Sequence, residues 1–167
     1  NIDLEHVDYY KNIKHLKESF IRYSENIPFY GFISLGIDCK NVREIKKKIY
    51  GKKITTYGLS RKCNYSATNV KIIKKNNSYL TSFDLIENFG KKKILKNFTS
   101  PLLGDHNVKN ILASICVSRG VKISYTNIKK ALKTFSGVKR RFTVLHKSKD
   151  NLIIDDYAHH PIEIKET

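Results

Sequence analysis

Apolar and polar positions alternate between two periods along the first third of the chain. From Asp8 to Ser24, the residues Tyr9, Ile13, Leu16, Phe20 and Tyr23 recur at helical spacing with charges between them. This predicts an amphipathic helix, ended by Asn26-Ile27-Pro28. Phe32 to Ile37 is a short apolar run that suits a buried strand. Val42, Ile45 and Ile49 share one face of a second helix that ends at Tyr50, and Lys53 to Gly58 reads as another strand. Helix, strand, helix, strand is the order of an α/β sheet with parallel strands.

The pattern then changes. Tyr65 to Ile73 is rich in β-forming residues, Asn76-Asn77-Ser78 marks a turn, and Tyr79–Ile86 and Lys93–Thr99 alternate. These segments predict antiparallel hairpins added to the edge of the sheet. Pro101 and Gly104 mark a loop. Asn107 to Arg119 predicts a helix with Ile111, Leu112, Ile115 and Cys116 as its apolar face, and Gly120 stands where a C-cap glycine belongs. Thr126 to Phe135 predicts a further helix, with Thr126 as its cap. Ser136 to Lys139 has the composition of a linker. Phe142–His146 and Leu152–Asp155 read as two strands joined by a polar turn at Lys149-Asp150-Asn151. Pro161 falls in the tolerated first turn of a last helix. No internal repeat or low-complexity segment interrupts this order.

Composition changes the picture in three ways. The 167 residues suffice for one substantial core or for one domain and part of another. The chain begins at Asn1, contains no Met and stops at Thr167 in what reads as a helical turn, so an internal segment of a longer protein is expected. Lys plus Arg is 32 and Asp plus Glu is 15, a formal net charge of +17. Such a charge fits an anionic partner such as nucleic acid. The lysines are scattered, however, without regular aromatic interleaving, while Lys, Ile and Asn abound and Trp is absent, as in a coding sequence poor in G and C. No specific nucleic-acid partner is therefore expected. Cys39, Cys63 and Cys116 are far apart and lack metal-type spacing, which fits a reduced cytoplasmic setting. The sequence has no apolar run of about eighteen residues, so no membrane insertion is expected. Nothing in it specifies an oligomeric state.

Four polar clusters carry candidate chemistry. Asn1 to Asp8 places His6 among acids before a helix, an arrangement able to hold a hard divalent cation or to serve as a plain helix start. Gly104-Asp105-His106-Asn107-Val108-Lys109-Asn110 opens an apolar helix, and Asn107 and Asn110 share one of its faces. Their amides offer the donor and acceptor pair that an adenine edge requires, and the helix start supplies backbone N–H groups. A simple N-cap explains one of these asparagines but not both. Lys139-Arg140-Arg141-Phe142 places guanidinium groups at a domain junction, where they can meet a triphosphate or merely line a basic linker. Ile153-Ile154-Asp155-Asp156-Tyr157-Ala158-His159-His160-Pro161 ends an apolar strand in two carboxylates, at the edge where α/β sheets bind ligands. Adjacent histidines in extended chain point opposite ways, which argues against a two-His metal site.

Together these runs resemble the Mur ligase family of peptidoglycan synthesis. The resemblance lies in Asn-Ile-x-x-x-His-x-Asp-x-Tyr from Asn1, Gly-x-His-Asn-x-x-Asn from Gly104, Arg140-Arg141-Phe142, and Asp-Asp-Tyr-Ala-His-His-Pro-x-Glu from Asp155. Asn26–Gly31 and Thr55–Gly58 also look like family positions. The resemblance implies part of a central ATPase domain, a mixed sheet with an antiparallel portion and flanking helices, followed by the start of a Rossmann-like C-terminal domain. Residues 1–138 would be the second half of the former and 139–167 the start of the latter. It implies an ATP-dependent, magnesium-dependent ligase acting through an acyl phosphate, with UDP-N-acetylmuramate and L-alanine as substrates. His6 would bind magnesium, and Asn107 and Asn110 would hold adenine with His106 beside them. Arg141 would contact the ATP phosphates and Asp156 the ribose. Tyr157, His159 and His160 would lie on the substrate side, with Arg141 and His159 as the catalytic pair.

Two departures qualify the resemblance. Glu5 precedes His6 where the family pattern usually has Asp. The phosphate loop Gly-x-x-Gly-Lys-Thr is absent, and Gly51-Lys52-Lys53 lacks the paired glycines and the Ser or Thr that would replace it. The phosphate-loop Lys and the first magnesium site are expected outside these residues, so the isolated segment is expected to be inactive. Two rival readings remain at this point: a related muropeptide-recycling ligase and a basic nucleic-acid-binding module.

Overall fold

The computed structural model describes residues 1–60, 62–76, 78–159 and 161–166. It divides into two compact units, Asn1–Thr134 and Phe135–Thr167. The first unit runs α1 (Ile13–Glu25), β1 (Ile33–Gly36), α2 (Lys40–Lys46), β2 (Ile54–Gly58), β3 (Tyr65–Lys75), β4 (Ser78–Phe89), β5 (Lys91–Ser100), α3 (Asp105–Gly120) and α4 (Tyr125–Thr134). Its described strands form one sheet in the order β1-β2-β3-β4-β5. β1 and β2 are parallel, while β3, β4 and β5 form an antiparallel meander. The expected α/β class with an antiparallel portion is what the chain adopts.

Alternation along β1 explains why helices cover both faces. Ile33 and Leu35 point into a core with Ile2, Leu16, Val42, Ile45 and Ile49, contributed largely by α1 and α2. Ser34, between them, turns the other way, toward α3. The larger core joins Tyr65, Phe83, Leu85 and Phe98 of the meander to Val108, Ile111, Leu112, Ile115 and Cys116 of α3 and to Ile128 and Leu132 of α4. Full burial of each such side chain stabilises by roughly 1.5–3 kcal/mol.

β3 joins β2 without a crossover helix. The two strands pair in parallel only at Tyr57↔Tyr65 and Gly58↔Ser66. So tight a reversal needs side chains to satisfy the backbone. The Asp38 carboxylate accepts from the Leu59 and Ser60 N–H groups, at 2.7 and 3.2 Å. Asn64 Oδ1 accepts from Thr56 N and Oγ1, both at 2.9 Å. The Cys63 thiol donates to the Ser60 carbonyl; burial pushes its pKa up to about 11.

The structure corrects several local expectations. The first helix begins at Ile13, not Asp8, because Asn12 caps it by accepting from His15 N and residues 7–9 form a turn. Gly120 does not take the left-handed C-cap role. It is the last residue of α3, and Lys122 adopts the positive φ of 66° instead. What Gly120 provides is space: a Cβ there would lie 2.1 Å from Cζ of Phe32. Ser124, not Thr126, supplies the hydroxyl that accepts from the start of α4, at Asn127 N. Asn77, in the expected turn at 76–78, lies outside the described residues.

Two β-bulges interrupt the meander, between Thr68 and Lys71 and between Phe83 and Leu85. Asn69 and Asn97 take positive φ of 54° and 63° beside them. Buried Asp84 compensates for the missing ladder bonds. It accepts from Asn69 Nδ2, Lys96 Nζ and Asn97 N at 2.8, 2.9 and 3.0 Å. The Lys96 contact, then those of Asn69 and Asn97, hold its pKa at about 2.

The second unit contains an antiparallel hairpin, β6 (Thr143–Lys147) and β7 (Leu152–Asp155), and a short helix α5 (Pro161–Glu166). The Ser148–Asn151 reversal closes it, with Ser148 N donating to Asn151 O at 2.8 Å. Among the described residues no helix is long and apolar enough to cross a membrane.

Gly120→Ala is expected to destabilise the first unit by roughly 1–3 kcal/mol through overpacking. Shrinking the opposing ring with Phe32→Leu should recover most of that loss in a denaturant titration. An alanine variant as stable as wild type would show that Phe32 moves aside freely. The Asp84 carboxyl makes a second prediction. Its pKa falls from 3.8 to about 2 on folding, so its contribution is present above 3.8 and is lost as pH falls through about 2. The stability gap between wild type and Asp84→Asn should therefore be constant near neutral pH and shrink across that window; a gap that stays constant would refute the assignment.

Candidate functional site

The start of α3 is built for close approach. Gly104 precedes the helix with φ of 89°, a backbone conformation that favours glycine, and the His106 ring lies against it, with Cε1 2.9 Å from where a Cβ would be. No side chain caps the helix. The Gly104 carbonyl accepts from Asn107 N and Val108 N, at 3.1 and 3.2 Å, and so begins the helical ladder. Asn107 lies in the first turn, half-buried, with Nδ2 donating to the Leu103 carbonyl at 2.7 Å and lying 3.0 Å from His106 Nε2. Asn110 follows one turn later and is exposed. The two asparagines share a face, as their spacing predicts, while Val108, Ile111 and Leu112 anchor the helix in the core.

His6 stands apart from that helix start in sequence, in the turn before α1. Its side chain is exposed, and its backbone adopts a φ of 52°. The His6 carbonyl accepts from Tyr9 N and Tyr10 N at 2.9 and 2.8 Å, which holds this unfavourable conformation. Among the described residues no group of three or more His, Cys, Asp or Glu side chains could hold a metal ion. His6 would therefore supply one donor to a cation that took the others from phosphate oxygens, water or other residues.

In the second unit the structure gathers Arg141, Asp156, Tyr157 and His159 into one loop cluster. Arg140 and Phe142 take positive φ of 60° and 49°, and Arg141 lies between them. Asp156 fixes this turn: its carboxylate accepts from Phe142 N at 2.7 Å and from Ala158 N at 2.8 Å. Tyr157 N donates to the Arg140 carbonyl, and the Arg140 guanidinium lies 4.6 Å from the centre of the Tyr157 ring. That ring meets His159 edge-on at 5.1 Å. His160 lies outside the described residues.

Two features of this loop were missed in the sequence. Asp156 is a backbone clamp as well as a candidate ligand: its carboxylate joins N–H groups from two separate parts of the loop. Glu163 of α5 reaches back to the loop, 3.6 Å from Arg141 Nη1 and 3.5 Å from His159 Nδ1. Only the Pro-x-Glu spacing hinted at that contact. In the first unit, Asp38 at the ends of the parallel strands was missed for the same reason, since its partners lie about twenty residues away.

A sequence model described as the Mur ligase middle domain matches residues 1–118. A UDP-N-acetylmuramate–L-alanine ligase from Pelagibacter ubique is 41% identical over 167 residues, covering 99% of this chain and 35% of that protein. One from a Hydrogenobaculum species is 43% identical over 165 residues, again 99% and 35%. The chain thus spans about a third of the length of these relatives. Among solved structures, MurF from Acinetobacter baumannii superposes with a TM-score of 0.80 at 20% identity, over 99% of this chain and 34% of that one. A UDP-N-acetylmuramate–alanine ligase from Thermotoga maritima gives 0.74 at 23%, over 97% and 34%. The structures share the fold, and the sequence matches assign the lineage: the chain belongs to the Mur ligase family.

Proposed function

We propose that this chain is part of an ATP-dependent ligase that joins L-alanine to UDP-N-acetylmuramate in the cytoplasm. Residues 1–138 would form the second half of its central ATP-binding domain and 139–167 the start of its C-terminal ligand-binding domain. The observation that carries the reading is the 41% identity, across nearly the whole chain, to a protein named for that reaction. ATP would supply the phosphoryl group that activates the muramate carboxyl as an acyl phosphate; the amine of L-alanine would then attack that carbonyl carbon and displace phosphate.

The chain's own residues fit defined parts of this task. Asn107 and Asn110 present amides at the uncapped start of α3, where adenine would be held with His106 beside it. Arg141, with Nη1 3.6 Å from Glu163 Oε1, carries the forked donor set that phosphate oxygens accept from. Asp156, fixed in the same loop, would meet the ribose hydroxyls. Tyr157 and His159 would face the acceptor amino acid. His6 would contribute one ligand to magnesium.

The full-length enzyme carrying Asn107→Ala should show a KM for ATP raised roughly three- to tenfold, the scale of one or two lost hydrogen bonds, with KM for the amino acid unchanged. An unaltered ATP dependence would remove Asn107 from the adenine site. The same enzyme should accept free L-alanine in preference to a tripeptide; the opposite preference would favour a muropeptide-recycling ligase. The isolated 167-residue chain should form no product in a coupled phosphate-release assay, because it lacks the glycine-rich phosphate loop. Turnover by that chain would refute this division of labour.

A further inference from the structure

Glu163 stands in the first turn of α5 and is half-buried. Its Oε2 accepts from the His159 backbone N–H at 3.3 Å and lies 3.5 Å from His159 Nδ1, while Oε1 lies 3.6 Å from Arg141 Nη1. One carboxylate thus reaches both Arg141 and His159. His159 Nδ1 also lies 3.0 Å from the Tyr157 carbonyl. A carbonyl oxygen only accepts, and so does a carboxylate, so both neighbours of Nδ1 require a proton on it. In the neutral ring, Nε2 then carries the lone pair.

We propose that Glu163 is a positioning residue that ties Arg141 to His159 and holds the neutral His159 imidazole with its proton on Nδ1, leaving Nε2 as the proton acceptor. The role of Nε2 rests on the ligase reading. The amino acid arrives as an ammonium and must lose a proton before it can attack. Nε2 takes that proton, the nitrogen lone pair forms the C–N bond, and the acyl–oxygen bond to phosphate breaks with its electron pair leaving on phosphate. Glu163 touches no reacting atom in this scheme. It acts through the tautomer of one residue and the placement of another.

The helix start favours the arrangement. Pro161 starts α5 with its φ already fixed, and an acid in the first turn is favoured by the free N–H groups there. The Glu163 side chain reaches back to an N–H before the helix, as the acid of a capping box does. The His159 ring is further held edge-on by Tyr157.

The test is nitrogen-detected NMR of the His159 imidazole in the 167-residue chain, at a pH where the ring is neutral. Wild type should show the Nδ1–H form in excess. Glu163→Gln should lower the ratio of Nδ1–H to Nε2–H by roughly two- to fivefold, the range an exposed charge contact supplies. Glu163→Asp, which retracts the charge by one methylene, should fall between them. Amide shifts of Thr143–Lys147 verify that the hairpin is intact in each variant. An excess of Nε2–H in wild type, or a ratio unmoved by Glu163→Gln, would overturn the proposal. The readout does not use turnover, so it stands or falls separately from the ligase assays.

Discussion

Helix α3 is the constraint on which the first unit depends. It touches β1, β2, β3 and α4, and so it binds the parallel strands and the antiparallel meander into one core. Its buried positions Val108, Ile111, Leu112, Ile115 and Cys116 follow the i, i+3, i+4, i+7, i+8 spacing of a single stripe. With Val108, Leu112 and Ile115 wholly inaccessible, the helix can neither slide nor rotate without opening the core. Gly120 sets how closely its far end meets Phe32, and Gly104 sets how the chain enters it. The two asparagines are thus presented by a rigid element. An apolar interface fixes the position of polar groups that contribute little to holding the fold.

A different device positions the second unit's site. Its hairpin is largely exposed, so side-chain burial contributes little to its order. Carboxylates do that work. Asp156 accepts from two backbone N–H groups across the strand end, and Glu163 returns from α5 to the same loop. Hydrogen bonds to ionised acceptors are stronger than neutral ones, which suits a loop that must hold positive φ at Arg140 and Phe142. The same logic recurs in the first unit. Asp38 fastens the tight β2–β3 connection, and Asp84 fastens the bulged meander. In a chain of net charge +17, scarce carboxylates serve as backbone clamps at irregular positions.

Such clamps also explain which expectations failed. The helix starts at Asn12 and Ser124 were misplaced because several polar residues near each boundary are competent caps, and only the folded backbone selects one. Gly120 follows the C-cap rule in sequence, yet a ring from a residue nearly ninety positions away claims the space its missing side chain leaves.

Local periodicity, by itself, determined the order of helices and strands, the apolar face of α3, the change from a parallel to an antiparallel pattern, and the shared face of Asn107 and Asn110. These properties depend on residues within a turn or two of each other, so spacing reads them directly. The motif order likewise carried the family. Only the tertiary structure decided that Asp156 clamps Phe142, that Glu163 spans Arg141 and His159, that Asp84 repairs two bulges and that Phe32 occupies the space at Gly120. Each of these joins separate elements, and a chain's sequence does not state which distant groups its folding will bring within hydrogen-bonding or van der Waals range.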